Sequence, residues 1–230
     1  MINETTYKIP ISEKVCVLVE HTLDKFLKIP AFQRYVNRKG SDKCGLKLIS
    51  YSGNGSVDDV MKDYNFNDIQ RDDIVLDIGA NVGGFSLFVS RFVKQVYAVE
   101  PMIYEILGHN VINNNKENIT ILPEALGEGT VKIGWEGCRD RCVNCKSLSE
   151  LINLCGGKVD FLKCDCEGGE WCIKPHELKG IRRIEIEVHN FDGTHKLEDF
   201  LKMLDKAGFE YEYTSPRQGI LIVHARNKFF

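Results

Sequence analysis

The sequence predicts an α/β chain: a mostly parallel sheet flanked by helices, finished by a C-terminal antiparallel hairpin and preceded by an N-terminal helical extension. Three observations carry this. The run Val75-Leu76-Asp77-Ile78-Gly79-Ala80-Asn81-Val82-Gly83-Gly84-Phe85 reads as a buried strand, a glycine turn and a helix start. From about Asp72 onward, strand-like and helix-like stretches alternate, as in βαβ units. Two final β runs, Phe209 to Tyr213 and Ile220 to His224, flank a short turn through Ser215-Pro216-Arg217-Gln218-Gly219, which favours an antiparallel pair.

The elements follow in order. Ser12 to about Lys28 has Val15, Leu18, Val19, Phe26 and Leu27 near one helical face, with Pro30 as a stop. Tyr51 to Gly55 is a turn by composition. After the glycine turn, Phe85, Phe88, Val89, Phe92 and Val93 recur at helical spacing and should pack on the sheet. Gln95 to Pro101 is the second strand, Met102 to Asn113 a helix, and Ile119 to Leu122 a short strand. Ser147 to Leu154 reads as a helix with Ser147 or Ser149 near its cap. Strands over Val159 to Cys164 and Ile184 to His189, and a helix over His195 to Ala207, complete the pattern.

Composition sets the outer bounds. With 230 residues, 43% of them hydrophobic, the chain can bury a large core; it divides into an extension over 1–71 and a main domain over 72–230. A net charge of −3 gives no electrostatic reason to expect nucleic acid as the partner. No stretch approaches the roughly 18 consecutive apolar residues of a membrane span, and the first residues, with Asn3, Glu4, Lys8 and Glu13, lack a signal-peptide core. A cytoplasmic protein with nine reduced cysteines is the expectation.

The glycine turn points to a nucleotide-like cofactor, because glycines let the backbone approach a ligand while the following helix offers N–H groups. A dinucleotide fingerprint would read G-x-G-x-x-G. Here the order is Gly79, Asn81, Gly83 and Gly84, with Asp77 at the strand end. A carboxylate there repels a pyrophosphate and suits a cofactor that presents an ammonium group, as S-adenosylmethionine does. Glu100 closes the next strand about 20 residues on, where a ribose-binding acid belongs.

Open α/β sheets bind ligands at the carboxyl ends of their strands, so Asp77, Glu100, Glu124, Asp165, Glu167 and His189 should converge on one crevice. Asp165-Cys166-Glu167-Gly168-Gly169-Glu170 places three carboxylates within a short stretch, which is costly unless a cation, a proton or a hydrogen-bonding substrate separates them. His189 is a general-base candidate, and it alternates with Glu187 to one strand face.

The segments Val75 to Phe85, Val96 to Pro101, Phe161 to Glu170 and Ile184 to His189 resemble the class I S-adenosylmethionine-dependent methyltransferases, and within them the FkbM family. The most specific signature is Lys163-Cys164-Asp165-Cys166-Glu167-Gly168-Gly169-Glu170, which is similar to the family's K-x-D-x-E-G-x-E pattern, together with a D-I-G-A-N-x-G turn. Asn81 departs from the glycine usual in methyltransferases at large but agrees with the FkbM form. The resemblance spans roughly Asp72 to His224. It implies a Rossmann-like sheet of seven strands and methyl transfer to a hydroxyl of a small-molecule acceptor, sugar or lipid. By the family pattern Asp77, Gly79, Asn81 and Gly83 surround the methionine part of the cofactor, Glu100 the ribose, and Glu124 the adenine neighbourhood. Asp165 or His189, with Glu167 beside them, would take the acceptor's proton. A divalent cation, Mg²⁺ by its oxygen ligands, held by Asp165, Glu167 and Glu187, is an additional expectation.

Two other readings compete. Cys138, Cys142 and Cys145 have a C-x₃-C-x₂-C spacing that fits an iron–sulfur cluster, or a structural zinc with Cys155 as fourth ligand. The basic stretch Lys25 to Lys47, with Phe26, Phe32 and Tyr35, reads as a solvated face, or as the RNA-facing patch of an RNA methyltransferase.

Overall fold

The computed structural model describes residues 38–41, 46–50, 63–134, 141–190 and 193–230. The helix expected over Ser12 to Lys28 and most of the basic stretch lie outside these residues. In chain order the described elements are β1 (Arg38–Ser41), β2 (Lys47–Ser50), β3 (Ile74–Ile78), α1 (Gly84–Val89), β4 (Gln95–Val99), α2 (Tyr104–Asn113) and β5 (Ile119–Leu122). They continue with β6 (Ala125–Leu126), β7 (Thr130–Ile133), β8 (Arg141–Lys146), α3 (Leu148–Leu154), β9 (Phe161–Cys164), β10 (Arg183–His189), α4 (Leu197–Ala207), β11 (Phe209–Thr214) and β12 (Ile220–Asn227).

Among the described residues the central sheet has seven strands in the order β11-β12-β10-β9-β3-β4-β5. Strands β5, β4, β3, β9 and β10 run parallel, while β12 is antiparallel to both β10 and β11. This is the Rossmann-like sheet with a C-terminal hairpin that the alternation predicts. Sequence order reverses between β3 and β9, so the carboxyl ends of these two strands form the topological switch point.

Period-two alternation divides the core. Leu76, Ile78, Leu162, Cys164, Ile184, Ile186 and Val188 face one layer, against Leu148 and Leu151 of α3 and Phe200 and Leu204 of α4. Val75, Val96, Ala98 and Phe161 face the other, against Phe85, Leu87 and Val89 of α1 and Leu107 and Val111 of α2. This second layer turns ionic toward the carboxyl end of β9 and across β10, where Lys163, Arg183, Glu185, Glu187 and His189 share the alternate face. Residues 64–66 cover it: the Asn65 N–H donates to Glu185, the Arg183 guanidinium donates to the Asn65 carbonyl, and Phe66 packs edge-on against Phe85.

Helix α3 begins where the sequence places it. Ser147 Oγ accepts the Glu150 N–H at 3.3 Å, and the Glu150 carboxylate accepts the Ser147 N–H at 2.8 Å, a reciprocal capping box. Ser147→Ala should therefore cost about 1 kcal/mol, read as a lower urea midpoint with unchanged slope. An unchanged midpoint would show the cap to be idle.

Within the 1–71 extension, β1 and β2 pair antiparallel, with Arg38 opposite Ser50 and Ser41 opposite Lys47; buried Leu46 and Leu48, two apart, carry the strand period. Two expectations need correction. Helix α1 ends at Val89, so Phe92 is exposed rather than packed on the sheet. Strands β6, β8 and β7 form a further small sheet where no strands are expected; Val131 is exposed and Val143 alone of β8 is buried, so the apolar signal there is weak.

Candidate active site

The switch point is built from close backbone contact. Gly79 has φ +75°, and a Cβ at that position would lie 1.7 Å from the Asp165 carbonyl oxygen. Only glycine lets the turn after β3 rest on the chain leaving β9. The N–H groups of Gly79 and Ala80 both donate to the Val99 carbonyl at 3.0 Å, tying the turn to β4. Asn81 takes φ +53°, with its Oδ1 accepting the Val82 N–H at 2.7 Å, and Gly83 takes φ +95° just before α1. Asparagine tolerates this left-handed conformation because its side chain bonds locally.

Glu100 follows β4 and is buried. Its Oε2 accepts the Asn81 N–H at 3.0 Å, and its Oε1 accepts the N–H groups of Met102 at 2.7 Å and Ile103 at 3.1 Å. Burial raises its pKa, opposed by these three bonds and by the charge of Lys163. A carboxylate has about four acceptor positions, so one remains for a ligand hydroxyl. Glu124 lies beyond β5, half-buried, with its pKa raised by burial; its charged neighbours are Lys146 and Glu150 rather than the other predicted site residues.

Asp77 is sealed within the protein, 0% exposed. Its Oδ2 accepts from Ser86 Oγ at 2.6 Å; its Oδ1 makes no hydrogen bond among the described residues and faces the Lys163 ammonium at 3.3 Å. Lys163 also donates to the Gly79 carbonyl at 3.0 Å and lies 3.9 Å from Asp165. Burial opposes its charge, but Asp77 and Asp165 together raise its pKa. Sequence reasoning assigned Lys163 no role. Its signal was a lysine inside an otherwise apolar strand, on the face that Asp77 shares.

Asp165, Glu167 and His189 come together at the mouth of this arrangement. His189 Nε2 lies 3.3 Å from Glu187 Oε1, 3.7 Å from Glu167 Oε2 and 3.9 Å from Asp165 Oδ1. Its Nδ1 lies 3.2 Å from Glu170 Oε1. Glu170 is fixed in turn, accepting the N–H groups of Cys166 and Gly168 at 2.8 Å each. Burial lowers the His189 pKa, but hydrogen bonds to Glu170 and Glu187 and the surrounding negative charge outweigh it and push it up to about 10. Protonated at neutral pH, this imidazole is a positive charge among the carboxylates around it, and the general-base role expected from sequence requires it to give up that proton first. Burial first, and then neighbouring carboxylates, raise the pKa of Glu167 as well.

Tyr64 is the second residue that sequence reasoning missed. Its hydroxyl donates to Asp165 Oδ2 at 2.9 Å, and Lys163 Nζ stands 5.5 Å from its ring centre. Burial and the charges of Asp165 and Glu187 raise its pKa strongly, so it stays a donor. No local pattern marks Tyr64, because its role is set by a contact over a hundred residues away in sequence. A cleft of about 330 Å³ around Trp171, His195, Phe200 and Met203 belongs to the opposite layer of the sheet.

The competing cysteine reading finds a different geometry. Cys138 lies outside the described residues. Cys142 and Cys145 are three apart on β8 and so point to opposite faces. Cys155 sits in the apolar core, with burial pushing its thiol up to about 12. Cys164 and Cys166 stand 3.6 Å apart at their sulfurs, both with raised pKa values. Among the described residues no helix is long and apolar enough to cross a membrane.

Comparison with known proteins adds a family match. A family model described as the methyltransferase FkbM domain matches residues 77–211. No curated protein sequence matches. Among solved structures, the chain is similar to a putative methyltransferase from Streptococcus mutans in complex with SAH, at 13% identity over 68% of this chain and 90% of that chain, with TM-score 0.49. It is also similar to an rRNA methylase from Streptococcus thermophilus, at 14% identity over 69% of this chain and 89% of that one, with TM-score 0.46. A fibrillarin pre-rRNA processing protein from Methanococcus jannaschii matches at 16% identity over 73% and 72% of the two chains, with TM-score 0.47.

Proposed function

The chain belongs to the FkbM methyltransferase family, and from that premise we propose that it moves the methyl group of S-adenosylmethionine to a hydroxyl oxygen of a small-molecule, sugar or lipid acceptor. One observation carries the reading: the glycine turn after β3 and the Asp165–His189 cluster meet in direct contact at the switch point, through Gly79 and the Asp165 carbonyl. A donor held on one side would face an acceptor held on the other.

The residues present suit the donor. The left-handed turn at Gly79, Asn81 and Gly83 opens backbone to a ligand, and Glu100 keeps an acceptor position for a ribose hydroxyl. Asp77 contributes from behind, holding Lys163 against the Gly79 carbonyl so that the turn keeps its shape. Bound S-adenosylmethionine supplies a methyl group already activated on a sulfonium. The chain has only to align the acceptor oxygen and receive its proton as the C–O bond forms and the C–S bond breaks. Asp165 is the best-oriented carboxylate for this, since Tyr64 fixes one of its oxygens while the other faces the cluster. Glu187 and Glu167 spread the negative charge around His189, whose position Glu170 sets.

Calorimetric titration with S-adenosylhomocysteine, with NAD as comparison, tests the donor half. Wild-type protein should bind S-adenosylhomocysteine one to one and not bind NAD. Glu100→Gln, checked for folding by its melt, should weaken binding about 10- to 100-fold, the worth of one hydrogen bond to a charged acceptor. Folded wild-type protein that binds no S-adenosylhomocysteine would overturn the proposal.

A further inference from the structure

We propose that Asp165, Glu167 and His189 form a binding site for one divalent transition-metal cation, of the Mn²⁺ type in preference to Mg²⁺, which would seat the acceptor's hydroxyl oxygen. The ligand atoms of these three side chains all lie within 4.8 Å of one another. Ligands about 2.1–2.2 Å from a common centre stand roughly 3.0–3.6 Å apart. The distances of 3.7 and 3.9 Å from His189 Nε2 to Glu167 and Asp165 therefore need to close by only a few tenths of an ångström. Glu167 has the freedom to do so, its side chain being 73% exposed.

The support behind the imidazole is of the kind that metal-binding histidines have. Its Nδ1 meets the Glu170 carboxylate, which two backbone N–H groups fix, while its Nε2 faces the other carboxylates. A carboxylate behind a histidine sets ring orientation and tautomer and raises the basicity of the opposite nitrogen. The His189 carbonyl is also pinned, accepting from Trp171 Nε1 at 2.6 Å. Tyr64 fixes Oδ2 of Asp165, leaving Oδ1 toward His189. Two ligands are thus held rigidly from behind and the third swings from the surface, which leaves an entry path.

Ligand chemistry decides the metal. The oxygen-only set of Asp165, Glu167 and Glu187 expected from sequence favours Mg²⁺, but Glu187 falls outside the mutually close trio and His189 enters it. An imidazole nitrogen shifts preference toward Mn²⁺ and its later neighbours. Three protein ligands on one side leave coordination positions open for a hydroxyl oxygen. Such a cation would lower the pKa of that hydroxyl, and with Asp165 then engaged as a ligand, Glu187, 3.3 Å from the imidazole, would receive the proton in its place. The place in the reaction rests on the methyltransferase reading; the binding site does not.

The test uses the full chain after chelator treatment, titrated with MnCl₂ and with MgCl₂ by calorimetry and followed by the Mn²⁺ electron paramagnetic resonance signal. One Mn²⁺ per chain is expected, bound at least about 10-fold more tightly than Mg²⁺. Glu167→Gln, at an exposed side chain, should keep the wild-type melting temperature and weaken Mn²⁺ at least about 10-fold; Glu170→Gln, a positioning change, should weaken it about 10- to 100-fold. No saturable binding, equal affinity for the two metals, or several weak sites indifferent to Glu167→Gln would each overturn the inference. S-adenosylhomocysteine titrated into the same samples keeps the readings apart: its binding without Mn²⁺ binding removes the metal alone, and Mn²⁺ binding without it removes the donor alone.

Discussion

Lys163→Met should destabilise the protein by about 3–5 kcal/mol, the cost of leaving one charge of a buried pair uncompensated. Asp77 is 0% exposed and Lys163 4%. Removing the ammonium leaves the Asp77 carboxylate with Ser86 as its sole hydrogen-bond donor among the described residues, and with Asp165 as a second negative charge across the same space. The Gly79 carbonyl loses its donor as well. For a chain of this size the change corresponds to a fall in melting temperature of about 6–20 °C. The double variant Lys163→Met, Asp77→Asn should recover much of the loss, since removing both charges removes the desolvation penalty too. A single variant within about 1 kcal/mol of wild type would show that the pair does not support the site.

That pair also shows how far the sequence could be read. Asp77 at the strand end invited an ammonium partner, and the nearest one belongs to the chain itself, on β9. Alternation along Arg183-Ile184-Glu185-Ile186-Glu187-Val188-His189 placed Glu187 and His189 on one face, and their atoms lie 3.3 Å apart. What alternation could not tell is that this charged face is buried. A polar face usually meets water; here residues 64–66 and the β12 side chain of His224 close over it, so Glu185 is fully buried between Arg183 and His224. Such burial is a tertiary fact, because each charge is tolerable only once its partner from a distant segment arrives.

Local chemistry was legible where it acts through neighbours in sequence. The Ser147–Glu150 box rests on contacts within a few residues, and the glycine turn and the β11–β12 hairpin are marked by the turn residues within them. The strands β7 and β8 were not legible, because Thr130-Val131-Lys132-Ile133 presents mostly solvent and the cysteines of β8 suggested a ligand spacing instead. Tyr64 and Lys163 needed the fold before either had a role.

Gly79→Ala should abolish S-adenosylhomocysteine binding, with at least about a 100-fold loss of affinity, and methyl transfer with it. Two costs combine at this position. The left-handed φ of +75° costs a non-glycine residue roughly 1–2 kcal/mol. The new methyl would also stand 1.7 Å from the Asp165 carbonyl oxygen, a backbone atom held by the Asp165 N–H bond to Ile78 at 2.9 Å. That contact has no flexible end to give way, so the turn and the Asp165 segment must separate, moving apart the two sides proposed to hold donor and acceptor. Gly83→Ala is the matched control. It has the same left-handed strain at φ +95°, but its methyl would meet Leu107 Cδ1 at 2.6 Å, the tip of a side chain that can rotate. The control should lose stability by about 1–2 kcal/mol yet keep measurable binding. If both variants bind alike, strain alone governs the turn and the Gly79–Asp165 contact is incidental; if Gly79→Ala alone fails, the two halves of the site are coupled through that single backbone contact.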